Sequence, residues 1–111
     1  TPLHLAIAIG DTDITTYLLS SALISPNTRD HHGRPPLFTA MANWRVKLAA
    51  LLLAHPSIDI NAADKEGNTA LHMAVRHQEE HIQDLLLARE DVDFNVRNAK
   101  GRTALWDAVE Y

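Results

Sequence analysis

Apolar residues recur along the chain in short bursts separated by polar stretches that carry glycine or proline. Leu71, Ala74 and Val75 fall at i, i+3, i+4, and Ile82, Leu85 and Leu86 repeat that spacing after a polar interval. Each burst therefore places its apolar side chains on one face of a helix. The pattern predicts two short helices followed by a turn. It then returns: Thr1-Pro2-Leu3-His4, Pro35-Pro36-Leu37-Phe38, Thr69-Ala70-Leu71-His72 and Thr103-Ala104-Leu105-Trp106 each begin 34 residues after the last. The same lag carries Ala6 to Ala40, Ala74 and Ala108, Leu18 to Leu52 and Leu86, and Gly33 to Gly67 and Gly101. Self-similarity at a period of about 20 to 50 residues marks a repeat architecture, in which one helical unit buries its apolar face only against a neighbouring copy.

The polar intervals have their own chemistry. A hydroxyl at Thr1, Thr69 or Thr103 caps a helix start by accepting a free backbone N–H, and proline at the first helical position lacks only an orphan donor. Pro35 leaves the second copy without that hydroxyl. Asp30-His31-His32-Gly33, Asp64-Lys65-Glu66-Gly67 and Asn98-Ala99-Lys100-Gly101 each have an Asx side chain first and glycine fourth, which predicts projecting hairpin tips. Asn27, Asn61 and Asn95 recur after the second helix, where an Asx side chain is expected to bond its local backbone and fix the bend.

Two helices and a turn, opening with Thr1-Pro2-Leu3-His4-Leu5-Ala6, resemble the ankyrin repeat, and Thr69-Ala70-Leu71-His72-Met73-Ala74 is close to the same motif. The resemblance covers essentially the whole chain. It implies an all-α ankyrin-repeat solenoid of helix-turn-helix units, a single array over 1–111 with repeats at 1–34, 35–68 and 69–102 and a partial unit at 103–111. The chain departs from the family by one extra residue per unit, in 54–60 and 88–94, and by Trp44 and Gln78 where Gly10 supplies the usual inter-helix glycine. The resemblance makes His4 and His72 structural, their rings bonding the adjacent hairpin. Phe38 and Trp106 replace that histidine, so apolar packing is expected at those junctions. Because the first unit lacks a preceding hairpin and the last lacks a second helix, with Leu105, Trp106, Ala108, Val109 and Tyr111 apolar, a segment of a longer protein with flanking repeats is expected.

Composition narrows the function. The 111 residues, 46% hydrophobic and 22% charged, suit one folded array and exclude an enzyme with separate cofactor and substrate domains. The longest apolar run, residues 48–54, is far short of the roughly 20 needed to span a bilayer. A net charge of −4 argues against nucleic-acid binding, which needs many cations to displace phosphate counterions. The absence of cysteine removes disulfides and thiolate chemistry. An intracellular location, cytoplasmic or nuclear, is expected.

The most tempting catalytic signal is His77-Gln78-Glu79-Glu80-His81, which fits the H-x-x-E-H order of some zinc peptidases. That chemistry needs a continuous helix through both histidines, whereas the repeat register puts 76–79 in a turn, so zinc hydrolysis through His77, Glu80 and His81 is the remote alternative. His31 and His32 sit at a tip with no further histidine on the neighbouring tips. No nucleophile elbow or phosphate loop is present, and no enzyme activity, metal or cofactor is expected. Asn61 and Asn95 lie in the leucine and Asp-x-Asn context in which ankyrin repeats are hydroxylated.

If the units stack as the resemblance implies, the tips and the exposed side of the first helices form one concave face. The partner-binding residues expected there are His31, His32, Arg34, Asn43, Trp44, Lys65, Glu66, Asn68, Arg76, His77, Lys100 and Arg102, with Ala42, Ala99 and Glu110 beside them. Arg34, Lys65, Arg76, Lys100 and Arg102 outnumber the anions Glu66 and Glu110, so a protein partner with an acidic or mixed polar segment is expected. Trp44 reads either as a binding anchor or as core folded over Met41 or Leu48. The alternative to recognition is a structural spacer.

Overall fold

The computed structural model of the chain describes residues 1–110; Tyr111 and the Glu110 side chain, assigned above to the last apolar face and the concave face, lie outside the described residues. Among the described residues seven helices follow in order: α1 Pro2–Ile9, α2 Thr12–Ser20, α3 Pro36–Ala42, α4 Val46–Ala54, α5 Ala70–Arg76, α6 Glu80–Leu87 and α7 Ala104–Glu110. Among the described residues there is no strand, only an isolated bridge between Ala63 and Thr69. No helix among the described residues is long and apolar enough to cross a membrane. The chain forms two compact units, Thr1–Asp59 and Ile60–Tyr111.

In the first unit α1 packs on α2 and α3, and α3 and α2 pack on α4. Its core holds Leu3, Ile7, Leu37, Phe38, Leu48 and Leu52, the periodic apolar positions. Thr1 Oγ1 accepts the His4 N–H at the start of α1, whereas Pro35 offers α3 no side-chain cap, as its sequence requires. The end of α1 is capped by a residue the sequence did not single out. Arg45 Nη2 donates to the Ala8 and Ile9 carbonyls, each at 3.2 Å, placing a cation on the negative end of the helix. Gly10, at φ 87°, makes room: a Cβ there would lie 2.8 Å from Arg45 Cζ.

In the second unit α5 packs on α6 and α7, and Leu71, Ala74, Ile82 and Leu86 are buried. Thr69 and His72 form a reciprocal cap on α5. The structural role of the two histidines is observed in each unit: His4 Nε2 donates to the Arg34 carbonyl and His72 Nε2 to the Arg102 carbonyl, both at 2.8 Å. Phe38 is buried as expected. Trp106 is not: it stays 42% exposed, with the Arg102 guanidinium 3.9 Å from its ring centroid, so a cation–π contact occupies that site in place of apolar packing.

Two of the three recurring asparagines, Asn27 and Asn61, act over a longer range than a local bend. Asn27 Nδ2 donates to the Ser57 carbonyl at 2.8 Å and its Oδ1 accepts the Asp59 N–H at 2.7 Å. Asn61 does the same to Asp91 and Asp93 in the second unit, at 2.8 and 2.7 Å. Each clamps its own loop to the loop one period on, which a backbone-directed amide does better than a local turn because it fixes register between copies.

Candidate functional site

The second unit brings several of the expected binding residues into one cleft, lined by Glu66, Asn68, Arg76, Asn98, Ala99 and Lys100. Two hairpin tips and the end of α5 form it. In the first tip Asp64 Oδ1 accepts the N–H groups of Glu66 and Asn68 at 2.9 and 3.0 Å. In the second, Asn98 Oδ1 accepts those of Lys100 and Arg102, both at 3.0 Å. The tips are joined by the Ala99 N–H on the Glu66 carbonyl at 2.7 Å and by Asn98 Nδ2 on Asn68 Oδ1 at 2.9 Å. Gly67 permits this approach, since at φ 78° its Cβ position lies 3.0 Å from the Ala99 nitrogen and the Asn98 Cα.

Asn68, expected as an exposed contact residue, is only 3% exposed and belongs to the cleft floor. Its Oδ1 is occupied by Asn98, so it holds the tips together before it meets any partner. Arg76 lies on the wall, its side chain 28% exposed, with Nη2 3.2 Å from Asp107 Oδ2. Asp107 is fully buried in α7, and its Oδ1 and Arg76 Nε have no hydrogen-bond partner among the described residues. Periodicity alone would not reveal Asp107, because α7 presents it where earlier copies have Leu5, Thr39 and Met73. That register break was the available signal.

The expected surplus of cations is smaller in the structure than in the sequence. Arg34 pairs with Asp30 at 3.2 Å, Arg76 with Asp107, and Arg102 lies on Trp106. Burial pushes the Asp30 carboxyl up, but the Arg34 and His32 backbone N–H groups and the Arg34 guanidinium overcome it and hold the group below the usual carboxylate range. Lys65 and Lys100 stand exposed on the tips, and Lys100 makes no ion pair among the described residues.

In the first unit His31 and His32 lie exposed on their tip, rings edge to face at 6.4 Å. Asn43 ends α3 with Nδ2 on the Thr39 carbonyl at 2.8 Å. Trp44 follows at φ 56°, 68% exposed, so its ring is not the cover of Met41 or Leu48 that one reading of the sequence required. His77 caps the end of α5, Gln78 takes φ 55°, and α6 begins only at Glu80. The helix is broken between His77 and His81, and the H-x-x-E-H geometry does not form. Among the described residues no three metal-ligating side chains cluster. Burial lifts the Glu79 carboxyl above its ordinary range, with His77 opposing it.

Sequence and structure comparisons agree on the architecture. The family described as ankyrin repeats (many copies) matches residues 37–87, and the ankyrin repeat family matches residues 1–31. The fold is similar to the crystal structure of the ankyrin repeat domain of Bcl-3, described as a unique member of the IkappaB protein family, with a TM-score of 0.88 and 28% identity over 99% of this chain. The chain spans 50% of that one. No curated protein sequence matches.

Proposed function

The chain belongs to the ankyrin repeat family, whose repeats are protein–protein interaction modules, and from that premise we propose that it is a non-catalytic recognition module. Its binding surface is the set of hairpin tips together with the exposed ends of the first helices, and its partner is a protein offering an acidic or mixed polar segment. The observation that carries this reading is the polar cleft of the second unit, lined by Arg76 and Lys100 together with the mutually bonded amides of Asn68 and Asn98. Rigid backbone with a few outward cations suits recognition, because little ordering entropy is lost on binding. Trp44 adds an exposed apolar anchor in the first unit. The repeats at 1–34, 35–68 and 69–102 act as one array in this reading, and an intracellular location, cytoplasmic or nuclear, belongs to the same proposal.

The test is association kinetics against a partner isolated with the chain as bait. Lys65→Glu with Lys100→Glu should slow the on-rate and flatten its dependence on salt, since exposed cations steer encounter over about 10 Å at 0.1 M ionic strength. An on-rate unmoved by both reversals would remove the acidic-segment reading, and a chain that captures no partner in any form would leave the spacer role.

A further inference from the structure

The cleft in the second unit has the chemistry of a specific anchor rather than of a generally basic surface. Its lining supplies three side-chain donors, those of Arg76, Lys100 and Asn68, and the Asn68 Nδ2 makes only a long contact of 3.5 Å to Glu66 Oε2. Arg76 is held from behind by the fully buried Asp107, so the guanidinium is positioned before any ligand arrives. The floor cannot rearrange to meet a ligand, because the Asn98 side chain already uses its Oδ1 for two backbone N–H groups and its Nδ2 for Asn68. Glu66 lines the same cleft as an acceptor. With Asp107 already opposing Arg76, Lys100 is the cation of the cleft that no ion pair among the described residues neutralises, so the site suits a singly charged anion with a hydrogen-bond donor beside it, and Glu66 repels a dianionic phosphate.

We infer that this cleft anchors a carboxylate: the side chain of an aspartate or glutamate in an extended partner segment sits between Arg76 and Lys100, and a backbone N–H of that segment meets Glu66. The inference rests on the recognition reading above and supplies the chemistry of its partner. It also explains why the cleft keeps a glutamate among its cations, since the acceptor selects a carboxylate carried on a peptide over a free anion.

The probe is the blocked tripeptide acetyl-Ala-Glu-Ala-amide, titrated into the intact chain and followed by ¹H–¹⁵N NMR, with acetyl-Ala-Gln-Ala-amide as its neutral twin. The expected result is a saturable shift of the Arg76 Nε–H and of the Asn68 and Asn98 side-chain amides. The glutamine peptide should bind roughly tenfold more weakly, the size of one charge-assisted hydrogen bond. Lys100→Ala should cause a similar loss, and Lys47→Ala, an exposed cation in the first unit, none. Equal responses to the two peptides, shifts spread over every surface cation, or indifference to Lys100→Ala would each overturn the carboxylate site. A silent cleft together with a partner whose on-rate still falls on the Lys65 and Lys100 reversals overturns the anchor while leaving the recognition module standing.

Discussion

Trp44 offers the sharpest test of the backbone, because its strain and its exposure can be separated. At φ 56° it occupies the left-handed region, which costs an L-residue roughly 1–2 kcal/mol. The side chain is 68% exposed, so ring burial offsets little of this. Comparing Trp44→Gly with Trp44→Ala removes the ring in both and isolates the dihedral. Glycine escapes the left-handed cost but loses roughly 0.5–1 kcal/mol of unfolded-chain entropy relative to alanine. The glycine variant should therefore be the more stable by about 0.5–1 kcal/mol. Tyr17 is the control: an equally exposed aromatic inside α2, where glycine should instead be less stable than alanine by about 1 kcal/mol. Urea unfolding midpoints at constant slope measure all four variants, and the two Gly–Ala differences should have opposite signs. Trp44→Ala matching or exceeding Trp44→Gly would refute the reasoning, since the backbone at 44 would then not be held in the left-handed region. Confirmation would mean that a residue destabilising its own turn stays at the surface, which is where binding anchors are found.

The other predictions concern the cleft and the tips. Gly67→Ala should cost more than Gly101→Ala although both have positive φ, because a Cβ at 67 meets backbone at 3.0 Å and one at 101 meets nothing within 4 Å; thermal melts should place the second loss near 1 kcal/mol and the first at least about 1 kcal/mol beyond it. Arg76→Met should destabilise by roughly 3–5 kcal/mol, since it leaves the buried Asp107 carboxylate unpaired. Asp107→Asn should cost less, about 1–3 kcal/mol, because the Arg76 it abandons can reach water; chemical denaturation of both variants ranks them, and the reverse order would refute the account. The depressed Asp30 carboxyl contributes stability that is complete above its unfolded value of 3.8 and is lost as pH falls through the lower folded value. Asp30→Asn should accordingly flatten the fall in Tm as the pH is taken below about 4, and an unchanged slope would show that the tip does not couple to acid unfolding.

The repeat, its helices and the buried histidines were legible because each depends on residues within one period. Leu71, Ala74 and Val75 declare a helix by spacing alone, and the tip glycines declare positive φ. Three features were not legible, for a common reason. Asn27 looked like a local turn former, yet its amide spans about one period to Ser57 and Asp59, and a side chain's partner one copy away leaves no mark on its own neighbours. Asn68 looked like an exposed tip residue, yet the opposing Asn98 buries it. Arg45 carried no motif at all, since the carbonyls it caps belong to α1. The charge of the face was hidden in the same way: Asp30 lies outside the expected contact residues, yet its carboxylate already holds Arg34.

The departures from register in the second unit are coupled to one another. The first tip carries Asp30 and Arg34, four residues apart and ion-paired. The next tip keeps the acid, Asp64, but has Asn68 in place of the arginine, and the third keeps Arg102 but has Asn98 in place of the acid. Each change alone would leave a charge without its counterpart. Together they allow a neutral amide bond between tips, Asn98 Nδ2 to Asn68 Oδ1, which an aspartate at 98 has no donor to make. Arg102, with no acid four residues before it, lies instead on Trp106. Arg76 and Asp107 follow the same logic, replacing the Ala8–Ala42 register and the Leu5–Thr39–Met73 register in adjacent copies and pairing with each other. Positions that serve only stacking gain nothing by departing from their period, because the same neighbour recurs at every copy. Asn68, Asn98 and Arg76, one or both members of two of these paired departures, line a single cleft, which stacking alone does not require.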